Sequence, residues 1–187
     1  MTENFQRVHE EFITSNPIKI RQLQIEDIVK LEPILRQHVR DSDSGEVIEE
    51  EISDIKGYMV GRVDEYDRKR KYVVALSGDR VLGCMAYSNM DPDMVAHFND
   101  VDPNKTVELL NAFVDEKIFR GGGLGRKLLQ GIVDSAKADG KEILVVHSGP
   151  RYKKSWGFYD KLTDGSRGFI ENKYGTGRHA KTWLKHL

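Results

Sequence analysis

The residues with the most evident chemistry are Arg120-Gly121-Gly122-Gly123-Leu124-Gly125-Arg126. Four glycines in the five positions 121–125 let backbone N–H groups close on an anion without interference from Cβ atoms. An apolar stripe of Leu128, Leu129, Ile132, Val133 and Ala136 follows, so the glycines stand at the mouth of a helix. A helix N-terminus offers unpaired donors and a partial positive charge, which favours a phosphate there. Arg126 and Lys127 oppose the helix dipole in the first turn, and a bound phosphate would remove that conflict. The spacing excludes two common phosphate loops. No Gly-Lys-Ser/Thr follows the glycines, and Gly-x-Gly-x-x-Gly fails because Arg126 and Leu128 stand where the third glycine belongs. Glu108, thirteen or more residues ahead of the glycines, shares strand parity with Leu110, Ala112 and Val114 and so points toward a covered face.

The elements that must position these groups are legible from periodicity. Residues 17–23 alternate as a strand, Glu26-Asp27 opens a helix carrying Ile28, Leu31, Ile34 and Leu35, and Val47, Ile48 and Ile52 mark a second helix ending near Gly61. Residues 72–87 form a hairpin about Ser77-Gly78-Asp79-Arg80. Residues 88–105, rich in Asn, Asp and Pro, are expected to be a long connection. A strand over 107–118, the glycines, a helix closed by Gly140 and the apolar Ile143-Leu144-Val145-Val146 form a strand–helix–strand unit, hence a parallel pair. A short helix near 155–162 and strands near 168–173 and 180–184 complete an α/β chain of about seven strands. The domain expectation is a polar arm over 1–17 and a single domain over 18–187.

Two segments together resemble the GNAT superfamily of N-acetyltransferases. Arg120-Gly121-Gly122-Gly123-Leu124-Gly125 matches the signature Arg/Gln-x-x-Gly-x-Gly/Ala, and Ser155-Trp156-Gly157-Phe158-Tyr159-Asp160-Lys161-Leu162 is similar to its Phe-Tyr-x-Lys segment. The resemblance implies a GNAT fold: a mixed central sheet flanked by helices, with a splayed parallel strand pair at the cofactor site. It implies acetyl-CoA as co-substrate, its diphosphate wrapped by Arg120, Gly121, Gly122, Gly123, Leu124, Gly125 and Arg126, and its pantetheine arm met by backbone near Phe113 and Val114. It also implies transfer of the acetyl group to a primary amine of a small molecule or peptide, with Tyr159 as general acid. A phenol with an ordinary pKa of about 10 stays protonated at neutral pH and can donate to a thiolate. Glu108 falls where relatives place a base; His147, at the end of the fifth strand, competes with it and ranks lower, because a histidine at a strand end is more often a structural hydrogen-bonder.

Three departures from the family pattern stand out: an extra residue before Arg120, a late Gly168-Phe169, and His147-Ser148-Gly149-Pro150 where an asparagine is usual. A non-catalytic acyl-CoA sensor is the alternative function. The acidic run from Asp41 to Asp54, seven acids and no base, is placed to attract a cationic amine but is more often a solvated helix face. Arg151, Lys153 and Lys154 are candidates for the adenosine 3′-phosphate.

Composition narrows the remaining classes. The 187 residues carry a net charge of −1, giving no general reason to bind nucleic acid or an anionic membrane. No apolar run suits a signal peptide or a membrane span, and the single cysteine, Cys84, lies in an apolar strand as an inert thiol, so a cytoplasmic protein is expected. The histidines show no metal-ligand spacing, and no metal is expected. A final exposed strand would suit pairing of two copies as a homodimer.

Overall fold

Strand β1 (Lys19–Gln22) opens a seven-stranded sheet whose order is β1-β2-β3-β4-β5-β7-β6. The remaining strands are β2 (Lys71–Ser77), β3 (Arg80–Ser88), β4 (Thr106–Val114), β5 (Ile143–Ser148), β6 (Ser166–Ile170) and β7 (Ala180–His186). The structure is a computed structural model describing residues 17–116 and 123–187. Chain contacts divide it into two compact units: residues up to Arg62 with Lys71–Ala86 and Asn111–Gly131, and Val63–Arg70 with Tyr87–Leu110 and Ile132–Leu187.

In the first unit β1 pairs antiparallel with β2, Ile20 opposite Ala75. Helix α1 (Asp27–His38) buries Ile28, Leu31, Ile34 and Leu35, the stripe expected from its spacing. Its start is anchored by Asp27, which accepts from both Arg21 Nη atoms at 2.7 and 2.9 Å and from the Gln24 N–H at 2.8 Å. Helix α2 (Glu49–Met59) buries Ile52, Ile55 and Met59. The helix after the glycines, α4 (Leu124–Ala138), begins in this unit; a Cβ at Gly131 would stand 2.5 Å from Ile20 Cγ2, so only glycine admits this approach to β1. Cys84 is buried, and burial pushes its thiol up to about 12, in keeping with an inert core residue.

In the second unit β4 and β5 pair in parallel, as expected, and β5 pairs antiparallel with β7. The expected loop over 88–105 is corrected: it contains helix α3 (Pro92–His97), capped by Asp91, whose carboxylate accepts from the Met94 N–H at 2.8 Å. Asp-Pro is an N-cap followed by an N1 proline. Met90, Met94 and Phe98 pack with Val145 and Leu184, and this burial offsets the polar composition that concealed the helix. A 3-10 turn (Pro150–Ser155) leads into α5 (Trp156–Leu162). Two boundaries and one strand position also differ from expectation. β4 ends at Val114, β6 spans Ser166–Ile170 rather than 168–173, and the final strand β7 lies between β5 and β6 and is no sheet edge.

Candidate active site

Parallel register makes the central pair. Glu108 on β4 stands opposite Val145 on β5, so His147, two residues further, emerges on the same face. Their side chains meet: His147 Nε2 lies 2.8 Å from Glu108 Oε1. The other carboxylate oxygen accepts from Arg68 Nη1 at 2.9 Å and from the Asp91 N–H at 2.8 Å. Glu108 is wholly buried, and these three donors compensate its lost water. Arg68 is itself clamped by Asp64, Nε to Oδ2 at 2.9 Å. Burial would lower the Arg68 pKa, but the Asp64 hydrogen bond and the charges of Glu108 and Asp64 prevail and raise it. The guanidinium is therefore a fixed positive charge under Glu108. A carboxylate only accepts, so Nε2 is the donor in the 2.8 Å contact; in the Nε2–H tautomer Nδ1 holds the lone pair. Tyr174, in the turn after β6, donates to that nitrogen at 2.6 Å.

Asp91 closes the cluster on a second side. Its Oδ2 lies 2.6 Å from Lys173 Nζ, with both side chains nearly buried. Burial alone would raise the Asp91 pKa; hydrogen bonds from Lys173 and the Met94 N–H outweigh it and hold the carboxyl below its usual range. Asp91, Glu108 and His147 bring one ligand atom each within 4.8 Å, the spacing of a metal triad. The donor set does not suit a cation. Glu108 already serves three donors, and Arg68 and Lys173 place two positive charges against the carboxylates.

Tyr159 sits in different surroundings. It is 6% exposed on α5, with its ring 5.2 Å from those of Phe158 and Trp183. Its hydroxyl has no hydrogen bond among the described residues, and burial alone drives its pKa upward, so the phenol keeps its proton. Asp160, the next residue, accepts from Trp183 Nε1 at 2.7 Å and from Lys181 Nζ at 2.8 Å, which fixes the indole that walls Tyr159.

The described residues among those expected to meet the cofactor belong to the first unit. Arg120, Gly121 and Gly122 lie outside the described residues. Gly123 has a φ of +73° with open space where a side chain would stand, and its carbonyl accepts from the Lys127 N–H at 3.0 Å as the helix begins. Leu124 is buried, anchoring α4, while Gly125 is partly exposed and Arg126 exposed. No acidic residue occupies the first turn of this helix, so its positive end is unopposed. Pairing of β4 with β5 stops at Leu109 opposite Val146, yet β4 runs on through Phe113 to Val114. The departure coincides with Asn111, whose φ of +47° is a left-handed conformation inside a strand; its Oδ1 accepts from Tyr72 at 2.7 Å. Phe113 is buried with its ring 5.6 Å from that of His38. The Val114 carbonyl already accepts from His38 Nε2 at 2.6 Å.

Sequence reasoning missed Arg68, Asp91, Lys173, Tyr174 and Asn111. An asparagine within an apolar strand was the available signal for the last; the others act over long sequence separations that no local pattern carries. The acidic run is partly neutralised within the unit: Arg36 binds Glu49 at 2.7 Å and Arg62 binds Asp54 at 2.6 Å. Arg151 and Lys153 lie over the rings of Tyr152 and Trp156 at 4.8 and 5.8 Å. No helix among the described residues is long and apolar enough to cross a membrane.

A mixed seven-stranded sheet, a parallel pair whose ladder ends early, and a glycine-led helix define an acyltransferase architecture. The Acetyltransferase (GNAT) family model matches residues 32–163, and the chain belongs to that family. Solved structures share the fold at low identity. A GNAT-family protein from Desulfovibrio desulfuricans superposes with a TM-score of 0.65 at 16% identity over 90% of this chain and 98% of its own. The YncA protein of Salmonella typhimurium, solved with its cofactor acetyl-CoA, gives 0.62 at 18% over 92% and 95%. The PaiA N-acetyltransferase of Thermoplasma acidophilum, in complex with coenzyme A, gives 0.60 at 18% over 91% and 99%. No curated protein matches in sequence.

Proposed function

We propose that residues 18–187 act as one acetyltransferase domain, with 1–17 as an appended arm, moving the acetyl group of acetyl-CoA to a primary amine by direct attack. The observation that carries this reading is the early end of the β4–β5 ladder at Leu109, just ahead of the glycine-led helix and within the family-matched stretch. The coenzyme A or acetyl-CoA bound by structural relatives supports the same co-substrate here. The backbone and basic side chains of residues 120–126 hold the diphosphate, and residues 110–114 direct the pantetheine.

The amine lone pair attacks the thioester carbonyl, the C–N bond forms, and the C–S bond breaks. Tyr159 protonates the departing thiolate; its dry surroundings keep that proton available. Glu108 acts through the imidazole it orients: His147 is the base that takes the ammonium proton, and Glu108 stabilises the imidazolium. A pocket of about 520 Å³ beside Arg68, walled by Tyr66, Met90, Pro92 and Val95 with Asp67 among its residues, suits an amine with an apolar body.

A transfer screen with acetyl-CoA against polyamines, aminoglycosides, amino acids and peptide N-termini, read by product mass, tests the proposal. An acetylated amine is the expected result. Tight acetyl-CoA binding with no product from any amine would replace it with a non-catalytic acyl-CoA sensor.

A further inference from the structure

We propose that Tyr174 is a catalytic residue of this transfer: its hydroxyl carries the proton from the acceptor amine to His147. This rests on the acetyl-transfer reading above. Nε2 of His147 is committed to Glu108, so Nδ1 is the one basic atom the pair can offer, and the Tyr174 hydroxyl occupies it at 2.6 Å. A proton bound for Nδ1 must therefore pass through that phenol oxygen or first displace it.

The turn carrying Tyr174 is built to hold the ring there. The Tyr174 N–H donates to the Arg178 carbonyl at 3.1 Å. Asn172 takes a φ of +56° and its Oδ1 accepts from the Gly177 N–H at 2.7 Å. The ring stacks on His147 at 5.8 Å. It also lies against Gly149, where a Cβ would stand 2.7 Å from two ring carbons, so the glycine makes room for this placement. Yet Tyr174 remains 39% exposed, the most accessible member of the chain Tyr174–His147–Glu108–Arg68–Asp64. A tyrosine serving packing alone has no need of the one ring nitrogen that Glu108 leaves open on a half-buried histidine.

The step balances. As the amine nitrogen bonds to the carbonyl carbon it becomes an ammonium. One N–H proton moves to the Tyr174 oxygen while the phenol proton moves to Nδ1. The phenol is regenerated, and the positive charge resides on the imidazolium beside Glu108. The thiolate leaves with the proton of Tyr159, and solvent later resets both groups.

The test uses the full chain labelled with ¹⁵N-histidine, together with acetyl-CoA and hydroxylamine as probe acceptor. Tyr174→Phe, which keeps the ring, is expected to shift the Nδ1 resonance of His147 to that of an imine nitrogen without a donor and to leave Nε2 in place. It is expected to lower kcat for CoA release about tenfold or more, at unchanged KM for acetyl-CoA. Tyr174→Phe in a His147→Gln background should cost nothing further, because the two act in series. Turnover within about twofold of wild type, or losses that multiply in the double variant, would overturn the assignment. An unmoved Nδ1 resonance would do the same. If the wild type releases no CoA to hydroxylamine, the acetyl-transfer reading fails and this inference with it; if it does and the variant matches it, the inference alone fails.

Discussion

Tyr159 and Glu108 are both buried titratable groups of the same unit, and they are treated in opposite ways. Around Tyr159 stand Phe158 and Trp183, with no hydrogen bond to its hydroxyl among the described residues, and burial pushes its pKa up. Around Glu108 stand Arg68, the Asp91 N–H and His147, so each oxygen is in use. An apolar wall keeps a phenol protonated, whereas a ring of donors satisfies every oxygen of a buried carboxylate. Two buried titratable groups a few elements apart thus meet opposite surroundings, one apolar and one filled with hydrogen-bond donors.

The comparison can be broken first on the charged side. Glu108→Ala leaves Arg68 buried with one partner fewer, and the loss of one member of such a pair costs about 3–5 kcal/mol. Urea denaturation should show that drop, and a change under about 1 kcal/mol would mean the donors are not interdependent. On the apolar side, Trp183→Phe removes the indole N–H to Asp160 and part of the wall on Tyr159, for about 1–3 kcal/mol. Thermal melting should register it as a smaller shift than Glu108→Ala. The smallest effect sharpens the charged side by pH. Asp91 has a folded pKa below its reference value of 3.8, so its contribution is fully present above about 3.8 and is lost as pH falls through the lower folded value. Asp91→Asn should remove that part of the acid dependence, visible as a shallower loss of stability below pH 4.

The sheet and its helices were readable because their signals are local. The stripe Leu128, Leu129, Ile132, Val133 and the run Ile143–Val146 each state their own period, and together they imply the parallel pair. Helix α3 escaped because its burial depends on Val145 and Leu184, distant in sequence, although Asp91-Pro92 was a readable start signal. Within the site, the inward direction of Glu108 followed from strand parity. Its partners did not: Arg68 is 40 residues away and His147 is 39. Ranking Glu108 and His147 as rivals missed that parallel register places them on one face, where they bond to each other. Asn111 shows the same limit at the cofactor strand, where a single left-handed residue ends a regular ladder that periodicity alone would continue.

The roles proposed for Tyr159 and for the Glu108–His147 pair are tested most directly by a single turnover with acetyl-CoA already bound. Wild type and Tyr159→Phe are mixed with the amine that the transfer screen returns, and CoA release is followed. Removing a general acid predicts an unchanged heat of acetyl-CoA binding and release slowed about 100-fold or more. Equal rates for the two proteins, at equal binding heats, would contradict the account.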